Sequence, residues 1–147
     1  MTVTARALVA GVALLLAAEA VRPLSADDLR AVEHESTLQL TTSGRRTGQS
    51  RAVTIWFVRD RDRIYVQSGK EGQTDWYRNL VQNPSVVVQL GGLKLRGHAR
   101  PIDDAAETAR VHELFSQKYL SARVMGWVGG GFGHGKVVLI DGLEPVT

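Results

Sequence analysis

TTSGRRTGQSRAVTIWF, residues Thr41 to Phe57, runs out of one alternating segment, through a glycine-bounded turn, and into another. Leu38 and Leu40 alternate with Thr37, Gln39 and Thr41 before the turn; Val53, Ile55 and Phe57 alternate with Thr54, Trp56 and Val58 after it. Side chains of an extended chain point to opposite faces in turn, so this period of two predicts two strands, each with one buried face. The connection SGRRTGQS places Arg45 and Arg46 between Gly44 and Gly48, with Thr47 beside them and Arg51 just beyond. A solvated hairpin would be content with Asn, Asp or Lys. Arginine's planar fork suits phosphate or carboxylate, and backbone N–H groups around Gly44 and Gly48 can add a nest for an anion. Lys70, in SGKEG after the next strand, can join the same rim. On the residues alone two readings stand, an anion site and a merely charged turn.

Outward from this hairpin the pattern stays β-rich. Ile64 and Val66 alternate with Tyr65 and Gln67 after the charged turn RDRDR, which predicts a third strand. TDWYRNLVQNPS predicts a short helix from Thr74 or Asp75 through Val81, stopped by Asn83-Pro84. SVVVQL, a Gly91-Gly92 turn and LKLRGHARPI form a hairpin in which Leu93, Leu95, Gly97 and Ala99 face one way. Lys94, Arg96, His98 and Arg100 face the other. Asp104 and Glu107 open a helix running to about Tyr119, with Val111, Leu114 and Phe115 as its apolar stripe. KVVLID closes the chain's last strand. Upstream, SADDLRAVEHES reads as a short helix capped by Ser25. Short antiparallel strands with few helices favour a closed or half-closed barrel over a doubly wound sheet.

The bulk properties fit one domain of 147 residues, with a formal charge of only +3 and no cysteine. Disulfides, thiolate metal sites and cysteine nucleophiles are therefore excluded. Residues 1–24 stand apart from the domain at 25–147. The apolar run ALVAGVALLLAA, residues 7–18, is short for a spanning helix, which needs roughly 20 residues. It leaves three readings: a signal-like leader, an anchor, or an extra helix packed on the domain. The corresponding expectation is a cytoplasmic or peripherally membrane-associated protein, with export left open.

Other chemistry is hard to place. Gly130 to Lys136 fits G-x-x-x-x-G-K, but Val137 stands where a phosphate-binding loop needs Ser or Thr, and a strand rather than a helix follows. The histidines at 34, 98, 112 and 134 lack metal-ligand spacing, so no metal is expected. There is no G-x-S-x-G nucleophile turn, and the Asp27-Asp28 and Asp103-Asp104 pairs sit where helix caps belong. No aromatic residue interleaves the basic face of Lys94 to Arg100, so nucleic acid is not expected as a partner.

LTTSGRRTGQSR, TIWFV, IYVQSGKEG, DWYRNLVQNPSVVVQL and KYL, in this order from about Asp27 to Pro145, resemble the deazaflavin-dependent nitroreductase and quinone reductase family. The resemblance implies a split β-barrel of the flavin-reductase type, mainly β with flanking helices, and coenzyme F420, a 5-deazaflavin carrying a phosphate and a glutamate tail. It further implies that Arg45, Arg46, Thr47, Gly48 and Arg51, helped by Lys70, hold the cofactor's anions. Thr54, Ile55 and Trp56 would lie along the ring, and Ser68, Trp76 and Asn79 match family positions at the cofactor site. The implied reaction is hydride transfer between the cofactor and a small activated alkene, quinone or nitro compound, with proton delivery from solvent, Tyr119 or His134. An FMN-type reductase on the same barrel, or a non-enzymatic binder of a cofactor or small acidic ligand, are the alternatives. Homodimer formation is a further expectation. The chain departs from the family at Val53-Thr54, where many members have a Pro-containing pair, and in MGWVGGGFGHG, where nitro-reducing members place aromatic side chains.

Overall fold

The computed structural model describes residues 24–69, 72–119 and 135–146. Helix α1 (Ala26–Arg30) is followed by strands β1 (Thr37–Ser43), β2 (Ser50–Asp60) and β3 (Arg63–Ser68). Helix α2 (Asp75–Gln82), strands β4 (Ser85–Leu90) and β5 (Leu93–Pro101), helix α3 (Ala105–Lys118) and strand β6 (Lys136–Pro145) complete the order. The six strands close into an antiparallel barrel in the order β1-β2-β3-β6-β5-β4. Of the two expected forms, closed and half-closed, the chain adopts the closed one. Closure removes the sheet edges that would otherwise present unpaired N–H and C=O groups.

Alternation places one set of side chains inside. Leu38, Leu40, Phe57, Ile64, Val66, Val88, Leu95 and Ile140 form a core in which none is more than 2% exposed. The outward set is bare except where a helix covers it. Val111 and Phe115 of α3 pack on Val58, Tyr65, Val137 and Leu139, making a second apolar layer outside the barrel. Each large apolar side chain so buried contributes about 1.5–3 kcal/mol. Leu114, expected in the same stripe, is only partly buried at its edge.

Two elements differ in length from the sequence expectation. The first helix ends at Arg30, and the following residues tighten into turns with Val32 N–H bonded to Leu29 O and Glu35 N–H to Val32 O. These shorter bonds lead the chain directly into β1. The last strand continues past Asp141 to Pro145 because Gly142, at φ +60°, lets it jog and remain paired with β5. Opposite this jog the register shifts between Arg96 and His98. A Cβ at the intervening Gly97 would stand 2.9 Å from both Ile140 and Leu143 side chains, so the closure there needs glycine. Lys136 opens β6 and not a helix, which disposes of the phosphate-loop reading.

Candidate functional site

The β1–β2 turn is built by its own backbone. Gly44 N–H donates to Gln49 O at 2.7 Å, Gly48 N–H to Gly44 O at 2.8 Å, and Gln49 N–H to the Thr47 hydroxyl at 3.2 Å. Gly48 sits at φ +72°, a left-handed conformation that glycine adopts without strain. The register pairs Thr42 with Arg51 and Ser43 with Ser50, so Arg51 returns beside the start of the turn.

Helix α2 clamps the turn from one side. Asn79, 3% exposed, receives the Arg45 backbone N–H at 3.2 Å and the Arg45 guanidinium at 2.9 Å on its Oδ1. Its Nδ2 donates to the Thr42 hydroxyl at 3.2 Å. The other fork of Arg45 reaches Asp75 at 3.3 Å. Asp75 and Asn79 lie four apart and so share the helix face that contacts the turn, with Trp76 lining the same cavity. Between this face and the hairpin lies a cavity of about 520 Å³, lined among others by Arg45, Arg46, Thr47, Arg51, Trp76 and Asn79. Arg46 and Arg51 are exposed and have no hydrogen-bond or ion-pair partner among the described residues. Two unpaired guanidinium groups on a cavity wall can take a polyanion.

The remaining expected residues fall elsewhere. Thr54 and Trp56 point outward from β2, whereas Ile55 packs on the barrel core. Trp56 stacks on Tyr119 with ring centroids 4.8 Å apart and planes 11° from parallel. Ser68 is fully buried and shares a 2.6 Å bond with the Thr74 hydroxyl, joining the end of β3 to the residue before α2. Lys70 and His134 lie outside the described residues, as do the apolar run at 7–18 and most of the glycine-rich segment. No helix of the described residues is long and apolar enough to cross a membrane.

Tyr119 is placed as a structural clasp. Its hydroxyl accepts from Phe57 N–H at 3.1 Å and has the backbone oxygens of Ser36 (2.7 Å) and Phe57 (2.9 Å) within reach of its single proton. Burial pushes this phenol up to about 12. A group so enclosed and so weakly acidic does not serve as a ready proton donor.

Asp75 and Thr42 are the residues that sequence reasoning missed. Asp75 reads as an ordinary helix cap, and only its four-residue spacing from Asn79 could have linked it to Arg45. Thr42 is one more threonine in a β-run, and its role becomes visible only when α2 is folded back on β1.

Comparison with known proteins adds a second line of evidence. The family model described as F420H(2)-dependent quinone reductase matches residues 16–126. An F420H(2)-dependent quinone reductase of Mycobacterium tuberculosis is 32% identical over 69 residues, which make up 45% of this chain and 46% of that protein. The chain thus spans about half the length of the curated relatives it matches. Among solved structures, an F420-H2 dependent reductase superposes with a TM-score of 0.59 at 22% identity, covering 73% of this chain and 95% of that one. A FAD-binding protein from Mesorhizobium loti gives 0.59 at 18%, covering 86% and 99%. At such identities the structural matches establish a shared fold.

Proposed function

The chain belongs to the F420H(2)-dependent quinone reductase family, and on that premise we propose that its basic cavity holds the phosphate and acidic tail of coenzyme F420 for hydride transfer to a small oxidised acceptor. One observation carries the reading: Arg46 and Arg51 line the cavity without a carboxylate partner among the described residues. The donor set also fits the group, since two guanidinium forks offer only N–H donors, which phosphate and carboxylate oxygens accept, and the Thr47 hydroxyl can add its own proton.

The protein's part is binding and placement. Arg46 and Arg51 would neutralise the anions. Arg45, fixed by Asn79 and Asp75, holds the turn in the shape that presents its neighbours. The outer face of β2 at Thr54 and Trp56, backed by Tyr119, offers a flat bed for a ring. Ser68, bonded to Thr74, would hold the start of α2 in place beside the cavity. When bound, the deazaflavin supplies the hydride, and quinones, nitro compounds and activated alkenes are the acceptors whose chemistry matches.

Titration of the protein with oxidised F420, followed by fluorescence, tests the reading. Saturable binding that weakens with salt is expected, with FMN binding less tightly for lack of the tail. Tighter binding of FMN would transfer the barrel to flavin chemistry, and failure of both would leave a binder of some other acidic ligand. Pairing of two copies is a separate proposal drawn from the split-barrel fold, and light scattering of the purified chain decides it.

A further inference from the structure

A second cavity of about 280 Å³ lies between the N-terminal half of α3 and the start of β6. Its wall includes Asp103, Thr108, His112 and Lys136, over a floor of Ile102 and Val137. The size is near the lower end of small-molecule sites, enough for a compact ring compound and too small for a dinucleotide-like cofactor. The floor is apolar and the rim polar, the usual lining for such a ligand.

Its position relative to the basic cavity follows from contacts. Lys136, on this wall, pairs in register with Ser68. Ser68 bonds Thr74, which precedes Asp75 on the wall of the basic cavity. The two cavities therefore flank the same short connection from β3 to α2. Beside the second one, Gln67 Oε1 on the outer face of β3 is buried against the cavity residue Gly135 with no hydrogen-bond partner among the described residues.

His112 is the titratable group best placed to act there. Its Nε2 stands 3.2 Å from Gly135 O. A carbonyl oxygen can only accept, so Nε2 carries a proton and Nδ1 is the nitrogen left to take up and release one. Asp103 from the β5–α3 connection and Lys136 from β6 are the charged groups sharing the cavity. Tyr77 of α2 adds a phenol whose ionisation is pushed up, first by burial and then by the Asp103 charge.

We propose that this second cavity receives the ring of the oxidised acceptor and that His112 is the proton donor for its reduction. The proposal rests on the F420 reading and deepens it. Hydride addition to a quinone, with both electrons from the reduced deazaflavin, leaves an oxyanion on the acceptor and the deazaflavin oxidised. His112, as imidazolium, transfers its Nδ1 proton to that oxygen to give the hydroquinone and is reprotonated from solvent. The Nε2–H stays on Gly135 O throughout.

The test uses 1,4-naphthoquinone as probe, first with the cofactor-free protein. Amide NMR signals of Thr108, His112 and Val137 should shift on its addition, and unmoved signals would overturn the cavity assignment. With F420H2 present, Thr108→Phe should fill the cavity and raise the quinone KM by roughly tenfold, with the F420 Kd unchanged. His112→Gln keeps an N–H for Gly135 O but cannot titrate. It should lower kcat by about a hundredfold and leave the quinone KM near wild type. A wild-type kcat in His112→Gln, or an unchanged KM in Thr108→Phe, would overturn the corresponding half of the proposal. If the wild-type protein binds no F420, the functional reading fails on its own, while the cofactor-free titration still decides the cavity.

Discussion

Two groups of arginines on this barrel stand in contrast. Along a seam formed by β2, β3, α3 and the turn after α1, Arg59, Arg63 and Arg110 are each answered by a carboxylate. Arg59 forms a two-point contact with Glu33 at 2.7 and 2.5 Å. Arg63 and Arg110 share Asp60 at 3.4 and 2.9 Å, and Arg110 also donates to the Tyr65 hydroxyl, which donates to Glu107. At the β1–β2 turn only Arg45 is answered, and Arg46 and Arg51 face a cavity alone among the described residues. Positive charges held close together without counter-charge repel one another, a cost that the seam avoids. The contrast teaches that the seam arginines join elements of the structure, whereas the turn arginines are free, among the described residues, for the anion proposed above.

Removing the turn cations should have the largest effect. Each makes charge-assisted bonds worth about 1.5–3 kcal/mol if it grips phosphate or carboxylate. Arg46→Ala or Arg51→Ala should thus weaken F420 binding by roughly ten- to a hundredfold, with the urea midpoint unchanged. Raising ionic strength should weaken the wild type more than the double variant. Wild-type affinity in both single variants would make the turn no different from the seam.

Asn79 joins the two settings, because it is both buried and part of the site. Asn79→Ala strands the Thr42 hydroxyl and releases Arg45, so a stability loss of about 1–3 kcal/mol is expected. The F420 Kd should also rise, though by less than for Arg51→Ala, since Arg45 positions the turn and Asp75 still holds it. A stability loss with unchanged Kd would confine Asn79 to the scaffold. Asp60→Asn probes the opposite case. It removes the shared partner of two half-exposed arginines, which should cost less than about 1 kcal/mol and leave F420 binding as it was.

The fold was legible because period-two alternation from Leu38 to Val66 separates inside from outside without help from tertiary contacts. The basic turn was legible for a related reason: a hairpin must bring Arg45, Arg46 and Arg51 to one end. Helix α2 was readable as a helix but not as a clamp, since nothing local says that Asn79 folds back onto Thr42 and Arg45. Ser68 and Tyr119, expected near the chemistry, turn out to join elements, the first to Thr74 and the second to Ser36 and Phe57. The Tyr119 hydroxyl looks available in the sequence because its backbone partners are distant in the chain, and that of Ser68 because no local motif pairs it with Thr74. His112 carried no motif and gained meaning only from the cavity around it.

Lys118 is a third kind of cation, neither answered by a carboxylate nor aimed at a ligand. Its Nζ is buried without a hydrogen-bond partner among the described residues and sits 3.5 Å from the centroid of the Phe57 ring. Burial, opposed by the charges of Glu33 and Glu35, lowers its pKa to about 8 from 10.5. Between those two values the unfolded chain holds a proton that the folded chain has released, so this lysine makes stability rise with pH from about 8 to 10.5. Tyr119 acts in the opposite sense above pH 10, because its phenol ionises near 10 when unfolded and only near 12 when folded. Tyr65 and Tyr77, also raised, add to that fall. Wild-type stability should therefore climb from pH 8 and turn over near pH 10. Lys118→Met keeps the packing on Phe57 and removes the charge. It should be slightly more stable than wild type at pH 7 and flat between pH 8 and 10, with the later fall intact. Urea midpoints measured at unit pH steps read the difference directly. Parallel curves for the two proteins would show that Lys118 keeps its proton in contact with water and belongs with the ordinary surface cations.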